Sequence, residues 1–245
     1  MDGGPHTYRC FVDRPELAPG DVELSPSEAR HLFQVRRARP GTEVSVLNGR
    51  GVLGSATVAQ LDKRGGTVRI HQVERHAPPT PEVVLVLGAL KQSAWLEFLK
   101  HAVELGVNRV VRLQSQHAVS DVPERKREQK HARWTDCMVQ ACKQSANPWL
   151  PELSVADSVE SAANALEKGA IHVLADLGKE ARGWEEVPPA AGRSIVCWVG
   201  PEGDFTEEER RFLRSEGVLG ISLGPRILRS ETAALTLLAG FRLRG

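Results

Sequence analysis

Two stretches in the last quarter of the chain decide its fold. The first, Ser194–Thr206, reads SIVCWVGPEGDFT, and the second, Leu219–Thr232, reads LGISLGPRILRSET. Each begins with an apolar run typical of a buried strand, continues through a Gly-Pro turn and ends where a helix can begin. Ligands of open α/β sheets bind beyond the carboxyl ends of strands. The two stretches therefore predict one pocket, although either loop alone is equally compatible with an ordinary strand-to-helix turn.

The chain that leads to these loops alternates between strand and helix patterns from residue 83 onward. The predicted strands are Val83–Leu87, Val107–Leu113, Ile171–Ala175, Ile195–Val199 and Leu219–Leu223. The predicted helices are Trp95–Leu105, Glu124–Ser145, Val159–Glu167, Thr206–Glu216 and Thr232–Leu243. This alternation predicts an α/β domain with a parallel sheet and helices on both faces.

The first part of the chain has a different pattern, dominated by short strands. They are predicted at Tyr8–Val12, Glu43–Leu47, Gly51–Leu61 and Thr67–Val73. One helix interrupts them after the capping sequence Ser25–Glu28. This pattern predicts a small β-barrel with one helix, and barrels of this size bind RNA or form interfaces. The run APPTP at 77–81 is a stiff connector, so we predict a barrel over 1–76, a linker over 77–81 and the α/β domain over 82–245.

Composition narrows the class of protein without deciding it. Of 245 residues, 41% are hydrophobic and 26% are charged, and the net charge is +1. No apolar run reaches the roughly 18–20 residues of a membrane span, and the first residues do not resemble a signal peptide, so we expect a cytoplasmic protein. The four cysteines lack metal-binding spacing and are expected to be reduced, with no metal.

Charged residues concentrate in a few places despite the balanced total. Clusters of arginine and lysine lie at 30–39 and 125–133, and each is either a solvated helix face or a surface for a phosphate backbone. Arg226, Arg229 and Glu231 stand just before the last predicted helix. Because helix N-termini favour anions, cations there indicate either a ligand or a role in locking the backbone, and arginine suits phosphate or a developing oxyanion. No P-loop or dinucleotide fingerprint is present.

At these residues the chain resembles the bacterial 16S rRNA (uracil-N3)-methyltransferases of the SPOUT superfamily. Their paired signatures, similar to GPEGGFS and LGPRILRTETA, stand here as Gly200–Thr206 and Leu223–Ala233. Further similarity lies around His31–Arg36, at Lys91 with Glu104–Val107, and from Ala141 to Glu152. The resemblance implies a SPOUT domain with a trefoil knot after a PUA-like barrel. It also implies a homodimer that uses S-adenosylmethionine to methylate the uridine at position 1498 of 16S rRNA in the small ribosomal subunit.

The resemblance also assigns residues to roles. Arg229 is expected to stabilise negative charge on a uracil oxygen, and Glu231 to act as a base or to orient that arginine. Cofactor contacts are expected at Leu174, Ala175, Gly200, Pro201, Glu202, Gly203, Leu223, Gly224, Ile227, Leu228 and Thr232. RNA contacts are expected at Arg9, His31, Arg36, Arg37, Lys91 and Arg226.

Three positions depart from the family pattern: Asp204 replaces a glycine, Ser230 a threonine, and Asn147 a common arginine. Two alternatives stay open at this point. One is a non-catalytic RNA-binding or ribosome-assembly protein with a vestigial knot. The other is a SPOUT enzyme acting on another rRNA or tRNA nucleotide. The sequence settles neither the general base nor whether naked rRNA or the assembled subunit is the substrate.

Overall fold

The computed structural model describes residues 8–35, 37–62, 65–116 and 124–244. They form two compact units. Unit 1 comprises the described residues up to Pro78 together with Val139–Leu150, and unit 2 comprises Pro79–Met138 and the chain from Pro151 onward. The division after Pro78 falls inside the connector expected at 77–81. The return of Val139–Leu150 to unit 1 was not expected from the sequence.

Unit 1 is built on a five-stranded sheet of order β1-β3-β4-β5-β2. Its strands are β1 (Tyr8–Phe11), β2 (Gly20–Leu24), β3 (Glu43–Leu47), β4 (Val52–Leu61) and β5 (Gly66–Arg75). Inward-facing aliphatic side chains of these strands form one buried core. The sequence did not predict β2, because only Val22 and Leu24 of its five residues are buried. It pairs antiparallel with β5.

The helix predicted after Ser25 begins as expected, but its Glu28 side chain has other partners than a capping box requires. Helix α1 (Pro26–Arg30) is capped by the Ser25 hydroxyl, which accepts a hydrogen bond from the Glu28 N–H at 3.2 Å, and a π-helical turn follows at His31–Val35. The Glu28 carboxylate does not return to the cap. It accepts hydrogen bonds from the Phe11 N–H at 3.2 Å and from the Lys143 ammonium at 2.7 Å. This ion pair is almost fully buried, so it joins α1 to the 139–150 segment inside unit 1.

Two further contacts fix the 139–150 segment within unit 1. The Trp149 indole N–H donates to the carbonyls of His76 and Ala77, at 3.2 and 3.0 Å. Gly51 has a φ of +85°, and a Cβ there would collide with the Trp149 ring. A glycine is therefore required for the close approach of that ring.

Unit 2 carries a six-stranded parallel sheet of order β11-β9-β10-β6-β7-β8. Its strands are β6 (Val83–Gly88), β7 (Arg109–Leu113), β8 (Glu152–Ala156), β9 (Ile171–Ala175), β10 (Ile195–Val199) and β11 (Leu219–Ile221). The helices of the chain from residue 92 onward are α2 (Gln92–Glu104), α3 (Glu124–Ser145), α4 (Val159–Asn164), α5 (Glu207–Ser215) and α6 (Ser230–Arg244). The central strands β6 and β10 are buried at every residue, as expected for strands covered on both faces. Edge strand β8, which is mostly half-buried, was missed by the sequence analysis.

Strand β11 has backbone partners on both sides. One side pairs parallel with β9. On the other side, the Arg182 N–H donates to the Gly220 carbonyl and the Ser222 N–H donates to the Arg182 carbonyl, both at 2.9 Å. Arg182 belongs to the loop that leaves β9, so that loop wraps around β11. Strand β11 therefore lies between β9 and the loop that follows β9.

Candidate functional site

A cavity of about 620 Å³ opens at the carboxyl edge of the unit 2 sheet. Four segments line it, each following a different strand: β6, β9, β10 or β11. Both Gly-Pro loops therefore line the same cavity. The lining residues are Lys91, Ser93, Ala94, Ala175–Leu177, Val199–Glu202, Asp204, Leu223, Gly224, Arg226–Glu231 and Ala233.

The first Gly-Pro loop lies directly against the end of β6. A Cβ on Gly88 would collide with the backbone nitrogen and ring of Pro201, so only glycine permits this packing. The Asp204 N–H donates to the Pro201 carbonyl at 2.9 Å and closes the turn. The loop is therefore held by backbone contacts at both of its ends.

A partly buried ion-pair network ties this loop to the segment after β9. The Arg210 guanidinium on α5 donates to Asp176 at 2.7 Å and also binds Asp204. The side chains of Asp176 and Arg210 are 6% and 13% exposed, and that of Asp204 is 42% exposed. Burial opposes the charge on Arg210, but the hydrogen bond and charge of Asp176 and the charge of Asp204 prevail and raise its pKa. One arginine thus fixes the relative positions of two walls.

The second Gly-Pro loop ends at α6, which begins at Ser230 rather than at the predicted Thr232. The Arg229 carbonyl accepts the first-turn hydrogen bond from the Ala233 N–H at 2.9 Å. Arg229 and Glu231 both line the cavity. They stand at the N-terminal end of a 15-residue helix, where the helix dipole favours negative charge on a ligand.

The rim of the cavity exposes large apolar side chains. Leu177 is 61% exposed and Ile227 is 84% exposed. Among the charged lining residues, the cations are Lys91, Arg226 and Arg229, and the carboxylates are Asp176, Glu202, Asp204 and Glu231. With Arg210 behind Asp176, positive and negative charges balance. An apolar rim around balanced charges suits a flat, partly apolar ligand with both signs of charge.

Most of the residues expected to contact a cofactor line this cavity. They are Ala175, Gly200, Pro201, Glu202, Leu223, Gly224, Ile227 and Leu228, together with Arg229 and Glu231. Gly203 and Thr232 lie outside the lining. Leu174 is also outside, because its side chain is buried in the core of unit 2. Strand alternation explains this, since Leu174 and Ala175 point to opposite faces.

The residues expected to contact RNA are more dispersed. Lys91 and Arg226 line the cavity, with the Lys91 ammonium 3.9 Å from the Glu202 carboxylate. Arg9 donates to the Lys143 and Gln144 carbonyls within unit 1. Arg37 is exposed with φ +52°, and His31 begins the π-helical turn. Arg36 lies outside the described residues.

Several lining residues were not predicted from the sequence, and Asp176 is the most informative of them. Its signal in the sequence is its place directly after a predicted buried strand. The structure shows that Asp176 is itself buried, a position where a polar side chain needs a partner. Within the described ranges, no group of three His, Cys, Asp or Glu residues has the arrangement to hold a metal, and no described helix is long and apolar enough to cross a membrane.

The chain is similar to known RNA methyltransferases. A family model described as an RNA methyltransferase domain matches residues 77–242, and one described as an RNA methyltransferase PUA domain matches residues 24–70. This chain belongs to the RNA methyltransferase family. A protein of Synechocystis named ribosomal RNA small subunit methyltransferase E is 28% identical over 238 residues, which cover 95% of this chain and 76% of that protein. Its namesake in Mycobacterium bovis is 28% identical over 234 residues, covering 93% and 88%.

Solved structures agree with the family assignment. A Legionella pneumophila methyltransferase determined with bound SAM has a TM-score of 0.89 and 27% identity, covering 97% of this chain and 98% of that one. A small subunit methyltransferase E from Neisseria gonorrhoeae, at 23% identity and a TM-score of 0.87 over 97% of both chains, shares the fold. The expected fold class, a knotted SPOUT domain with a parallel sheet preceded by a PUA-like barrel, is confirmed.

Proposed function

We propose that this methyltransferase transfers a methyl group from S-adenosylmethionine to N3 of the uridine at position 1498 of 16S rRNA in the small ribosomal subunit. The observation that carries the proposal is the position of Arg229 and Glu231. Both stand at the start of α6 on the wall of the cavity that the two Gly-Pro loops enclose. The names of the relatives from Synechocystis and Mycobacterium bovis support an rRNA substrate.

The residues present fit S-adenosylmethionine. The cavity of about 620 Å³ is in the usual range for a cofactor site, and the Legionella relative was solved with this compound. The Gly-Pro loops present backbone groups that can read the edge of an adenine. Ile227 and Leu228 supply apolar surface, and the balanced charges suit the sulfonium, ammonium and carboxylate groups. When bound, the cofactor supplies an electrophilic methyl group on sulfur.

The protein's own contribution is to make uracil N3 nucleophilic and to aim it. The protonated N3 is a poor nucleophile, and loss of its proton spreads negative charge onto the uracil oxygens. Arg229 and the N–H groups that begin α6 stabilise that charge. Glu231 accepts the proton or orients Arg229. Fixed positioning of the two reactants contributes on the order of 7–11 kcal/mol.

We further propose how the rest of the chain serves this reaction. The barrel over 1–76 binds rRNA, the 77–81 segment is the linker, and the domain over 82–245 carries the chemistry. Arg9, His31, Arg36, Arg37, Lys91 and Arg226 contact RNA, and the target base is splayed out of its helix to enter the cavity. The enzyme acts in the cytoplasm as a homodimer, and light scattering of the purified chain tests the dimer.

The decisive experiment measures methyl transfer and cofactor binding separately. Mass spectrometry of rRNA nucleosides from a strain lacking this gene should show loss of 3-methyluridine at one site, restored by the wild-type gene. With purified protein, Arg229→Ala should abolish the modification and leave the calorimetric affinity for S-adenosylmethionine within about threefold. Arg211→Ala, which replaces an exposed arginine on α5, is the matched control and should keep both the modification and the cofactor affinity of the wild type.

Each contrary outcome has a definite meaning. A wild-type chain that does not bind S-adenosylmethionine would make this a non-catalytic RNA-binding protein. If 3-methyluridine is unchanged and another modified nucleoside is lost, the protein is a methyltransferase that acts on a different nucleotide. Loss of cofactor affinity in Arg229→Ala would move that arginine from the reaction to the cofactor pocket.

A further inference from the structure

The first half of α3 carries a row of basic side chains on its outer face. Arg125, Lys126 and Arg133 are exposed and Lys130 is half-exposed. At 100° per residue these four positions lie within an arc of roughly 140°. Trp134 and Met138 are on the buried side of the same helix. We call Arg125, Lys126, Lys130 and Arg133 the basic stripe.

The charges of the basic stripe are not used within the described part of the chain. None of the four forms a salt bridge there, whereas neighbouring Arg127 pairs with Asp157 at 2.6 Å. Because no described carboxylate pairs with them, the four charges are available to a partner that brings negative charge.

The position of the stripe relates it to the cavity. Asp157 directly follows β8, so its ion pair with Arg127 anchors the start of α3 at the carboxyl edge of the sheet. Further along α3, His131 contacts the Leu153 carbonyl near the amino end of β8 at 3.1 Å, so the helix runs away from this edge and Arg125 and Lys126 are the members of the stripe nearest to it. The cavity opens at the same edge, and its residue Lys91 follows β6. Because β6, β7 and β8 are adjacent, the end of β8 lies two strand spacings, roughly 10 Å, from that of β6.

We propose that the basic stripe binds the phosphate backbone of the rRNA next to the nucleotide that enters the cavity. This inference rests on the proposed function for the identity of the RNA. An RNA strand whose base occupies the cavity and which passes Lys91 would meet Arg125 and Lys126 first and then follow the stripe along α3. Arginine and lysine on a helix face provide sequence-independent phosphate contacts, so the stripe would fix the register of the RNA rather than read its bases.

The test compares the salt dependence of rRNA binding between variants. The stripe variant replaces Arg125, Lys126, Lys130 and Arg133 by Gln, which retains high helix propensity. A double variant, Arg125→Gln with Lys126→Gln, is matched by Lys168→Gln with Arg193→Gln, two exposed cations that precede β9 and β10 at the opposite edge of the sheet. Filter binding to purified 16S rRNA is measured from low to physiological salt, with calorimetry of S-adenosylmethionine alongside.

We expect the stripe variant to bind 16S rRNA at least ~10-fold more weakly at physiological salt. The magnitude of its slope of log K against log salt should be smaller by about 3. The double variant should show about half of this change in slope. Cofactor affinity and the opposite-edge control should match the wild type. A stripe variant with wild-type slope and affinity overturns the inference and leaves the proposed function standing. A wild-type chain that binds rRNA through the stripe but transfers no methyl group overturns the proposed function alone.

Discussion

The Asp176–Arg210–Asp204 network gives the most quantitative prediction. Arg210→Met removes the cation and preserves most of the side-chain volume. Asp176, 6% exposed, would then be a buried carboxylate without its ion-pair partner, a change that costs about 3–5 kcal/mol. Asp204 is 42% exposed, so loss of its pair costs less than about 1 kcal/mol. The total is roughly 4 kcal/mol of unfolding free energy. The variant should also bind the cofactor more weakly, because these two carboxylates hold the cavity walls in place.

The matched control is Asp204→Gly. It removes the exposed end of the network and places glycine at a position where φ is +60°. Relief of the left-handed conformation, about 1 kcal/mol, offsets the lost ion pair, so this variant should stay within about 1 kcal/mol of the wild type. Urea unfolding followed by circular dichroism gives both values, and calorimetry gives the cofactor affinity. The reasoning is refuted if Arg210→Met destabilises the protein no more than Asp204→Gly does.

Four further predictions concern other features of the chain. Gly88→Ala should weaken S-adenosylmethionine binding at least ~10-fold, because its methyl group collides with Pro201, whereas Gly169→Ala, with open space around it, should bind normally by calorimetry. Lys143→Met should lower the unfolding free energy by about 3–5 kcal/mol, because it leaves the Glu28 carboxylate buried without its ion-pair partner. Adding Glu28→Gln should recover part of that loss. Additive losses in the double-mutant cycle would contradict this prediction. Burial raises the pKa of the Cys10 and Cys142 thiols to about 12, so at pH 8 roughly one in 10⁴ is thiolate, and iodoacetamide should label Cys137 first in mass spectrometry of the native protein. Because these thiols stay protonated in the folded state while unfolded thiols ionise, unfolding free energy should fall between about pH 9 and pH 12, by about 1.4 kcal/mol per pH unit for each thiol.

Local sequence patterns predicted the elements whose burial is uniform. The strands β6 and β10 are apolar throughout because both faces are covered, and a Gly-Pro turn after a buried strand has few alternative structures. Strands β2 and β8 were missed because each is short and only partly buried, which leaves a weak periodicity.

Other features depend on contacts that no local pattern encodes. The return of Val139–Leu150 to unit 1 rests on Trp149 and Lys143, whose partners lie 70 or more residues away in sequence. The α6 start was placed two residues late, because Ser230 and Thr232 are both good capping residues and the first hydrogen bond uses the Arg229 carbonyl instead. The pairing of Arg210 with Asp176 spans 34 residues and became visible only with the fold.

The loop that encircles β11 has a consequence for how the protein matures. A molecule whose final segment had not taken this place would lack β11 and α6, and with them the second Gly-Pro wall and the position of Arg229. The cavity is therefore complete only when the last segment is in place, so affinity for the methyl donor reports that the chain has reached its knotted fold.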